Sequence, residues 1–202
     1  MADTTSLSIR FQVDADPEGD LVLLVGPDEV AIKVCSKMLA LALLVFAAKF
    51  GPHFAEGKAL RTPSAHEAPS VSLPEDDAEA MIKLCYALHL KLNMNDKNIT
   101  YELCFTLAKL CDKYNASLAL GSWSELWMKP WIDTLKGDER CFKAIYIARA
   151  FGNQHEFWSI TRDVMLYYNA DFVDLPDPGL AKELLPDRLL GKSAYKLQDA
   201  LD

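Results

Sequence analysis

The residues best suited to chemistry are spread along the chain rather than grouped. The four histidines, His53, His66, His89 and His155, lie on different segments, and none belongs to a GxSxG or HExxH motif of the kind found in hydrolases. A nucleophile, a base and a residue that orients the base cannot be assembled from them. We therefore predict that the histidines are surface or packing residues and that the protein is not an enzyme.

The cysteines suit a reducing compartment better than a metal or disulfide site. They are Cys35, Cys85, Cys104, Cys111 and Cys141. They are odd in number, lie within apolar runs and show no CxxC spacing, which is typical of thiols in a protein core. Cys104 and Cys111 would share a helix face and could form half of a metal site, but two small buried residues explain them better. We predict no metal and no cofactor.

Two acidic clusters, residues 75–77 and 171–177, raise the alternatives of acid–base catalysis and calcium binding. Neither cluster has the alternating ligands and the glycine of a calcium loop, so helix capping and solvation explain them better. The turn at Gly26 and Pro27 is not followed by a Gly-Lys pair or by a helix, so it does not predict a phosphate site.

The charge balance bears on the partners that we expect. The formal net charge is -8 and the 21 Lys and Arg residues are scattered, whereas nucleic acid and anionic lipid require clustered basic residues. The first residues do not resemble a secretory signal, and no apolar run approaches the roughly 20 residues that cross a bilayer. We expect a cytoplasmic or nuclear protein that binds neither nucleic acid nor membrane.

The order of the predicted elements indicates an α+β fold. Short apolar runs at 21–25 and 30–34, joined by Gly26, Pro27 and Asp28, predict a hairpin, and eleven consecutive apolar residues follow at 38–48. A loop is predicted at 57–69 and a strand at 70–73. Helices are predicted at 77–90, 100–118, 123–135, 138–151, 154–168 and 186–201.

This order of elements and several local strings resemble the BTB/POZ domain in the version found in many fungal proteins. The strings are DLVLLVG from Asp20, the residues Leu39, Val45, Phe46 and Phe50, then VSLPEDD, AMIKLCYALHL and LAKLCDKYNASLAL. The resemblance implies a small three-stranded sheet capping a helical BTB/POZ-like core, followed by an all-helical extension. It predicts a flexible arm at 1–17, the domain at 18–120 and the extension at 121–202, packed on the domain.

The chain departs from the family at the first helices. The family usually has Ser-Pro where this chain has Leu43 and Leu44, and that Ser caps a second helix and separates it from the first. Two leucines provide no cap and favour one continuous helix. We therefore predict that the break between the two helices is weakened or shifted and that both leucines add apolar surface.

The apolar helix also predicts self-association. It cannot bury every side, so Met38, Leu41, Ala42 and Val45 are predicted to form a dimer interface. The alternative is that the whole helix lies in the core. BTB domains commonly form dimers through this helix, often with exchange of an N-terminal strand, and residues 8–13 alternate well enough to be that strand.

Two further segments are candidate sites for protein partners. Trp123, Trp127 and Trp131 are four residues apart and share one helix side, as core packing or an exposed hot spot would require. Leu88, Leu90 and Met94 lie in an alternating run. The resemblance implies that adaptor-type family members contact a cullin scaffold of ubiquitin ligases near this run.

The sequence therefore predicts a non-catalytic interaction module that self-associates. One version is a substrate adaptor for a cullin-type ubiquitin ligase. The alternative is a dimerising scaffold or transcription cofactor without a ligase link. An enzyme with an unrecognised pocket remains a third and weaker hypothesis.

Overall fold

A computed structural model of the protein describes residues 12–62, 68–93, 99–135, 138 and 140–167, and structural statements below concern these residues. They form a mixture of helices and one sheet, which confirms an α+β fold. The chain divides into two compact units. Residues 1–96 and 110–120 belong to the first, here called the sheet unit, and residues 97–109 and 121–202 belong to the second, the helical unit.

The elements are named in chain order. They are β1 (Gln12–Asp14), β2 (Leu21–Val25), β3 (Val30–Val34), α1 (Ser36–Ala42), α2 (Leu44–Lys49), α3 (Ala55–Arg61), β4 (Ser70–Leu73), α4 (Ala78–Leu88), α5 (Tyr101–Tyr114), α6 (Ser117–Ile132), α7 (Cys141–Ala150) and α8 (Gln154–Tyr167). A 3-10 turn at Asp133–Leu135 follows α6.

The sheet is built around the predicted hairpin. Strands β2 and β3 are antiparallel, with Leu23 opposite Ile32, and Gly26 supplies the positive φ of 75° that their turn requires. Alternate residues of β2 are fully buried while their neighbours are half-buried, which is the burial pattern of a strand with one core face. Strand β4 pairs with β2 in parallel, with Val71 opposite Leu23, and Val71 and Leu73 form its buried face.

The sheet has four strands where three were predicted. The additional strand, β1, pairs in parallel with β3, so the order across the sheet is β1-β3-β2-β4. Residues 12–14 were predicted within the flexible arm and also within a candidate exchange strand. They form a strand of this chain's own sheet. The Val13 side chain lies on the buried face of the sheet, and its two neighbours in the strand are exposed. Residues 1–11 lie outside the described part.

Residues 57–61 were predicted as part of a loop but belong to α3. Gly57 permits this helix to lie against the end of α2, since a Cβ there would come within 2.0 Å of the Gly51 carbonyl oxygen. The Arg61 guanidinium then donates to the Gly57 carbonyl at 2.7 Å and to the Phe50 carbonyl at 3.1 Å. Close packing at a glycine therefore overrides a local sequence that lacks helical periodicity.

The next two helices begin where capping predicts. The Ala80 amide donates to the Asp77 carboxylate at 2.9 Å, and the Leu103 amide donates to the Thr100 hydroxyl at 3.2 Å. Helix α5 ends at Tyr114, earlier than predicted, because Asn115 takes a left-handed φ of 55° that starts a turn. Leu118, predicted to extend the buried face of this helix, lies on α6 and is 99% exposed.

Among the described residues, α6, α7 and α8 follow, and the first four residues of α6, 117–120, are assigned to the sheet unit. Helix α6 begins before its predicted start and continues past Pro130 as far as Ile132. Gly152, with a φ of 71°, separates α7 from α8 as predicted. Within the described ranges no helix is long and apolar enough to cross a membrane. The predicted helix at 186–201 lies outside those ranges.

Candidate self-association surface

Apolar side chains face solvent on the two short helices that follow the hairpin. We define the α1–α2 surface as Met38, Leu41, Ala42, Leu44, Val45, Ala47 and Ala48. Leu41 is 75% exposed, Leu44 68% and Val45 41%, while Met38 and Ala42 are half-buried. The sequence has no charged residue between Lys37 and Lys49. Large exposed aliphatic residues without charged neighbours are typical of a surface that a protein partner covers.

A break between the helices at Leu43 orients this surface, so α1 and α2 do not form the continuous helix that the two leucines favour. Leu43 lies between α1 and α2 with φ -127° and ψ 109°, which is extended backbone. Its side chain is fully buried, whereas Leu44 faces solvent, so only one of the two leucines supplies the predicted extra apolar surface. The Leu43 amide still donates to the Leu39 carbonyl at 2.9 Å and its carbonyl accepts from the Ala47 amide at 2.9 Å, so the break leaves neither group unpaired.

The start of α1 is held by two residues distant in sequence. The Asp20 carboxylate accepts from the Ser36 amide and from the Ser36 hydroxyl, both at 2.7 Å. The Cys35 amide donates to His89 Nε2 at 3.0 Å, and His89 Nδ1 donates to the Cys85 carbonyl at 2.8 Å. The ring is therefore neutral, with its proton on Nδ1. His89 was predicted to be a surface or packing residue, and sequence contains no signal of this capping role.

Helix α2 rests on aromatic rings, which in turn contact an ion pair with a buried carboxylate. Phe46 is fully buried and stacks on Tyr114 with ring centroids 5.0 Å apart. The Tyr114 hydroxyl donates to Asp76, whose other carboxylate oxygen accepts from Lys113 Nζ at 2.7 Å. Asp76 was predicted, with Asp77, as a helix cap. Only Asp77 caps α4, and Asp76 is instead 4% exposed and anchors the end of α5.

The predicted partner-binding run at the end of α4 is only partly exposed. Leu88 is buried, Leu90 is 89% exposed, and Met94 lies outside the described residues. Leu90 has a φ of 56°, a left-handed conformation that is rare for a bulky residue. The conformation terminates α4, since the Lys91 amide donates to the Tyr86 carbonyl at 2.8 Å and the Leu90 amide to the Ala87 carbonyl at 3.2 Å.

The tryptophan side of α6 faces mainly inward. Trp127 is fully buried, Trp131 is 8% exposed and Trp123 is half-buried. Trp127 stacks on Trp123 with centroids 5.8 Å apart and lies 5.9 Å from the ring of Phe151. Core packing therefore accounts for Trp127 and Trp131, two of the three tryptophans of the candidate partner site.

Several buried groups that could act as nucleophiles are held in their protonated forms. Burial raises the pKa of Cys85, Cys111 and Cys141 to about 12, and it also raises the pKa of Cys104. A thiol with a raised pKa is a poor nucleophile and a poor metal ligand at neutral pH. Within the described ranges, no three His, Cys, Asp or Glu side chains are grouped as a metal ion would require.

Because the pKa values of these buried thiols are raised, we expect the folded protein to lose unfolding free energy at alkaline pH. In the unfolded chain they ionise near roughly pH 8.5, whereas in the folded protein they ionise near 12. Protons are lost first from the unfolded state, so the stabilisation is complete below about pH 8.5 and declines as pH rises toward 12. We expect the urea unfolding free energy to fall between pH 8 and pH 10. A Cys35→Ser variant, which removes the half-buried thiol, should show the same profile; a flat profile in the parent protein would contradict the assignment.

No known protein-family model matches the sequence, and no curated protein is significantly similar to it. The exposed and buried groups described above are therefore the basis for assigning a function.

Proposed function

We propose that this protein is a non-catalytic interaction module that self-associates through the α1–α2 surface. The observation that carries the proposal is the exposure of Leu41, Leu44 and Val45 on adjoining helices with no charge among them. The four residues predicted for the dimer, Met38, Leu41, Ala42 and Val45, all belong to this surface. Leu44, which was not among them, also contributes to it.

The energetics are compatible with association of two copies. Burying a fully exposed Leu or Val side chain contributes roughly 1.5–3 kcal/mol, and a symmetric pair buries each residue twice. Leu41, Leu44 and Val45 from two copies make six side chains. Each is already partly buried within its own copy, so together they contribute about 5–10 kcal/mol when a dimer forms. Association costs about 4–15 kcal/mol. The two ranges overlap, so burial of these side chains is of the size needed to offset the cost of association.

The occupant that best fits this surface is a second copy of the chain. A net charge of -8 makes copies repel one another, but an uncharged apolar surface is self-complementary and adds no local repulsion. Exposed Ala47 and Ala48 are small, so a second helix backbone can approach closely.

The BTB/POZ resemblance supports the same proposal. Its members commonly dimerise through the first helix, and they separate that helix from the next, as this chain does at Leu43. We propose that the chain is a member of the BTB/POZ family. The proposal is based on the order of its elements: the hairpin of β2 and β3, the short helices α1 and α2, the strand β4 and the helices α4 and α5. The proposal carries with it the family's fold and a cytoplasmic or nuclear location.

A role as adaptor for a cullin-type ubiquitin ligase is the more specific candidate. Leu90 favours it, because an 89% exposed leucine in a left-handed conformation offers an apolar contact where the family binds the scaffold. A dimerising scaffold or transcription cofactor is the alternative, and it requires only the α1–α2 surface.

The test of self-association is light scattering across concentration on the intact chain. We expect a dimer at tens of micromolar, and a monomer when Leu41→Asp and Leu44→Asp are combined. These two side chains are the most exposed on the surface, so their replacement spares the core.

A matched control separates this surface from a general effect of added charge. Leu118 and Leu166 are also exposed leucines on helices, and the combination of Leu118→Asp with Leu166→Asp should remain dimeric. Far-ultraviolet circular dichroism should be unchanged in both double variants. A monomeric parent protein, or a dimer that survives Leu41→Asp with Leu44→Asp, would overturn the proposal.

A further inference from the structure

The helical unit contains a groove of about 520 Å³ that is lined mainly by α6 and α8. Its floor is apolar and includes Leu135, Cys141, Ile160 and Val164, each less than 10% exposed. A concave site of this size with an apolar floor can hold one or two large side chains of a ligand.

The rim of the groove is acidic. Glu125 and Asp133 come from α6 and the turn that follows it, and Glu156 and Asp163 come from α8. Lys129 and His155 are the basic residues that line it. Of the lining residues that the structure describes, four are carboxylates and one, Lys129, carries a permanent positive charge.

Nearby cations neutralise these carboxylates only weakly. His155 lies 3.4 Å from Glu156, and Arg162 lies 3.4 Å from Asp163, but the two basic side chains are 87% and 68% exposed. Exposed pairs of this kind contribute little because water and salt screen them. Among the described residues, Glu125 and Asp133 form no ion pair.

We propose that this groove binds a cationic segment of a partner protein, with an apolar side chain placed on the floor and Lys or Arg side chains at the rim. An apolar anchor in a pocket supplies affinity, and the surrounding carboxylates select for positive charge. A second copy of this chain fits poorly, since its net charge of -8 would be brought against an acidic rim. The groove belongs to the helical unit and the α1–α2 surface to the sheet unit, and the proposal does not depend on self-association.

The probe is a fluorescent twelve-residue amphipathic peptide of Leu and Lys, with the same peptide carrying Glu in place of Lys as its counterpart. Fluorescence anisotropy on the full-length protein should show binding of the Lys peptide that weakens as salt is raised, and no binding of the Glu peptide. Failure of the Lys peptide to bind would overturn the proposal, as would equal binding of both peptides.

Charge-neutralising variants locate the site. Glu125→Gln combined with Asp133→Asn preserves side-chain size and should weaken binding of the Lys peptide by about fivefold. Glu75→Gln combined with Glu79→Gln removes the same charge from the sheet unit and should leave the affinity unchanged. Equal weakening by both pairs would show general electrostatic attraction and overturn the assignment to the groove.

The peptide experiment is independent of the test of self-association. The Leu41→Asp and Leu44→Asp variant should bind the Lys peptide as the parent protein does, and the groove variant should keep the parent's oligomeric state. Loss of peptide binding in the Leu41→Asp and Leu44→Asp variant would place the peptide on the α1–α2 surface instead and overturn the groove assignment.

Discussion

An Asp76→Ala variant is expected to lose roughly 3 kcal/mol of unfolding free energy, because it removes a buried carboxylate that satisfies two partners. Asp76 is 4% exposed and accepts hydrogen bonds from Lys113 and from the Tyr114 hydroxyl. Without it, the hydroxyl of Tyr114, a residue that is itself only 3% exposed, loses its acceptor. Urea unfolding followed by circular dichroism measures the loss.

Two control variants separate the role of the carboxylate from that of the position. Asp76→Asn retains an oxygen that can accept from Tyr114, so its loss should be about half as large. Glu75→Ala changes the exposed neighbour and should alter stability by less than about 0.5 kcal/mol. A change of that small size in Asp76→Ala would mean that the ion pair contributes nothing to the sheet unit.

A Trp127→Ala variant is expected to lose about 3–5 kcal/mol, because it removes the largest fully buried side chain of the helical unit. The indole contacts Trp123 and Phe151, so alanine would leave a cavity where α6 meets the end of α7. The same urea experiment, with tryptophan fluorescence as a second signal, measures the loss.

Trp158→Ala is the matched control, since this tryptophan is 69% exposed. It should cost less than about 1 kcal/mol. Similar losses in Trp127→Ala and Trp158→Ala would contradict the assignment of Trp127 to the core and would return it to consideration as a contact for a partner.

Local patterns in the sequence were sufficient for much of the sheet unit. The hairpin of β2 and β3 follows from aliphatic runs on either side of a glycine turn, and β4 follows from alternation. Capping predicted the starts of α4 and α5, because the Asp77 and Thr100 side chains act within their own first turns.

Features that depend on distant contacts could not be predicted in this way. Leu43 has a high helix propensity, yet burial of its side chain stabilises an extended conformation. Alternation at 8–13 indicated a strand, but only the pairing with β3 shows that β1 belongs to this chain's own sheet. Asp76 looks like a cap in the sequence, and only the position of α5 shows its buried ion pair.

The two candidate binding sites also differ in how far they follow from local sequence patterns. A run of apolar residues at 38–48 indicated that some side chains must remain exposed, but periodicity assumed an unbroken helix and therefore omitted Leu44 from the predicted interface. The groove was not predicted at all. Its acidic rim is assembled from two separate helices and a turn, which supply Glu125, Asp133, Glu156 and Asp163. No spacing rule connects them.

The distribution of the two units along the chain limits how they could be exchanged between genes. Residues 97–109 belong to the helical unit and residues 110–120 to the sheet unit, so the chain passes between units three times and α5 is shared. A single recombination point that transfers the whole sheet unit also transfers residues 97–109 of the helical unit. One that transfers the whole helical unit also transfers residues 110–120 of the sheet unit. The two units are therefore expected to be inherited together, so a natural homologue that carries one should carry the other.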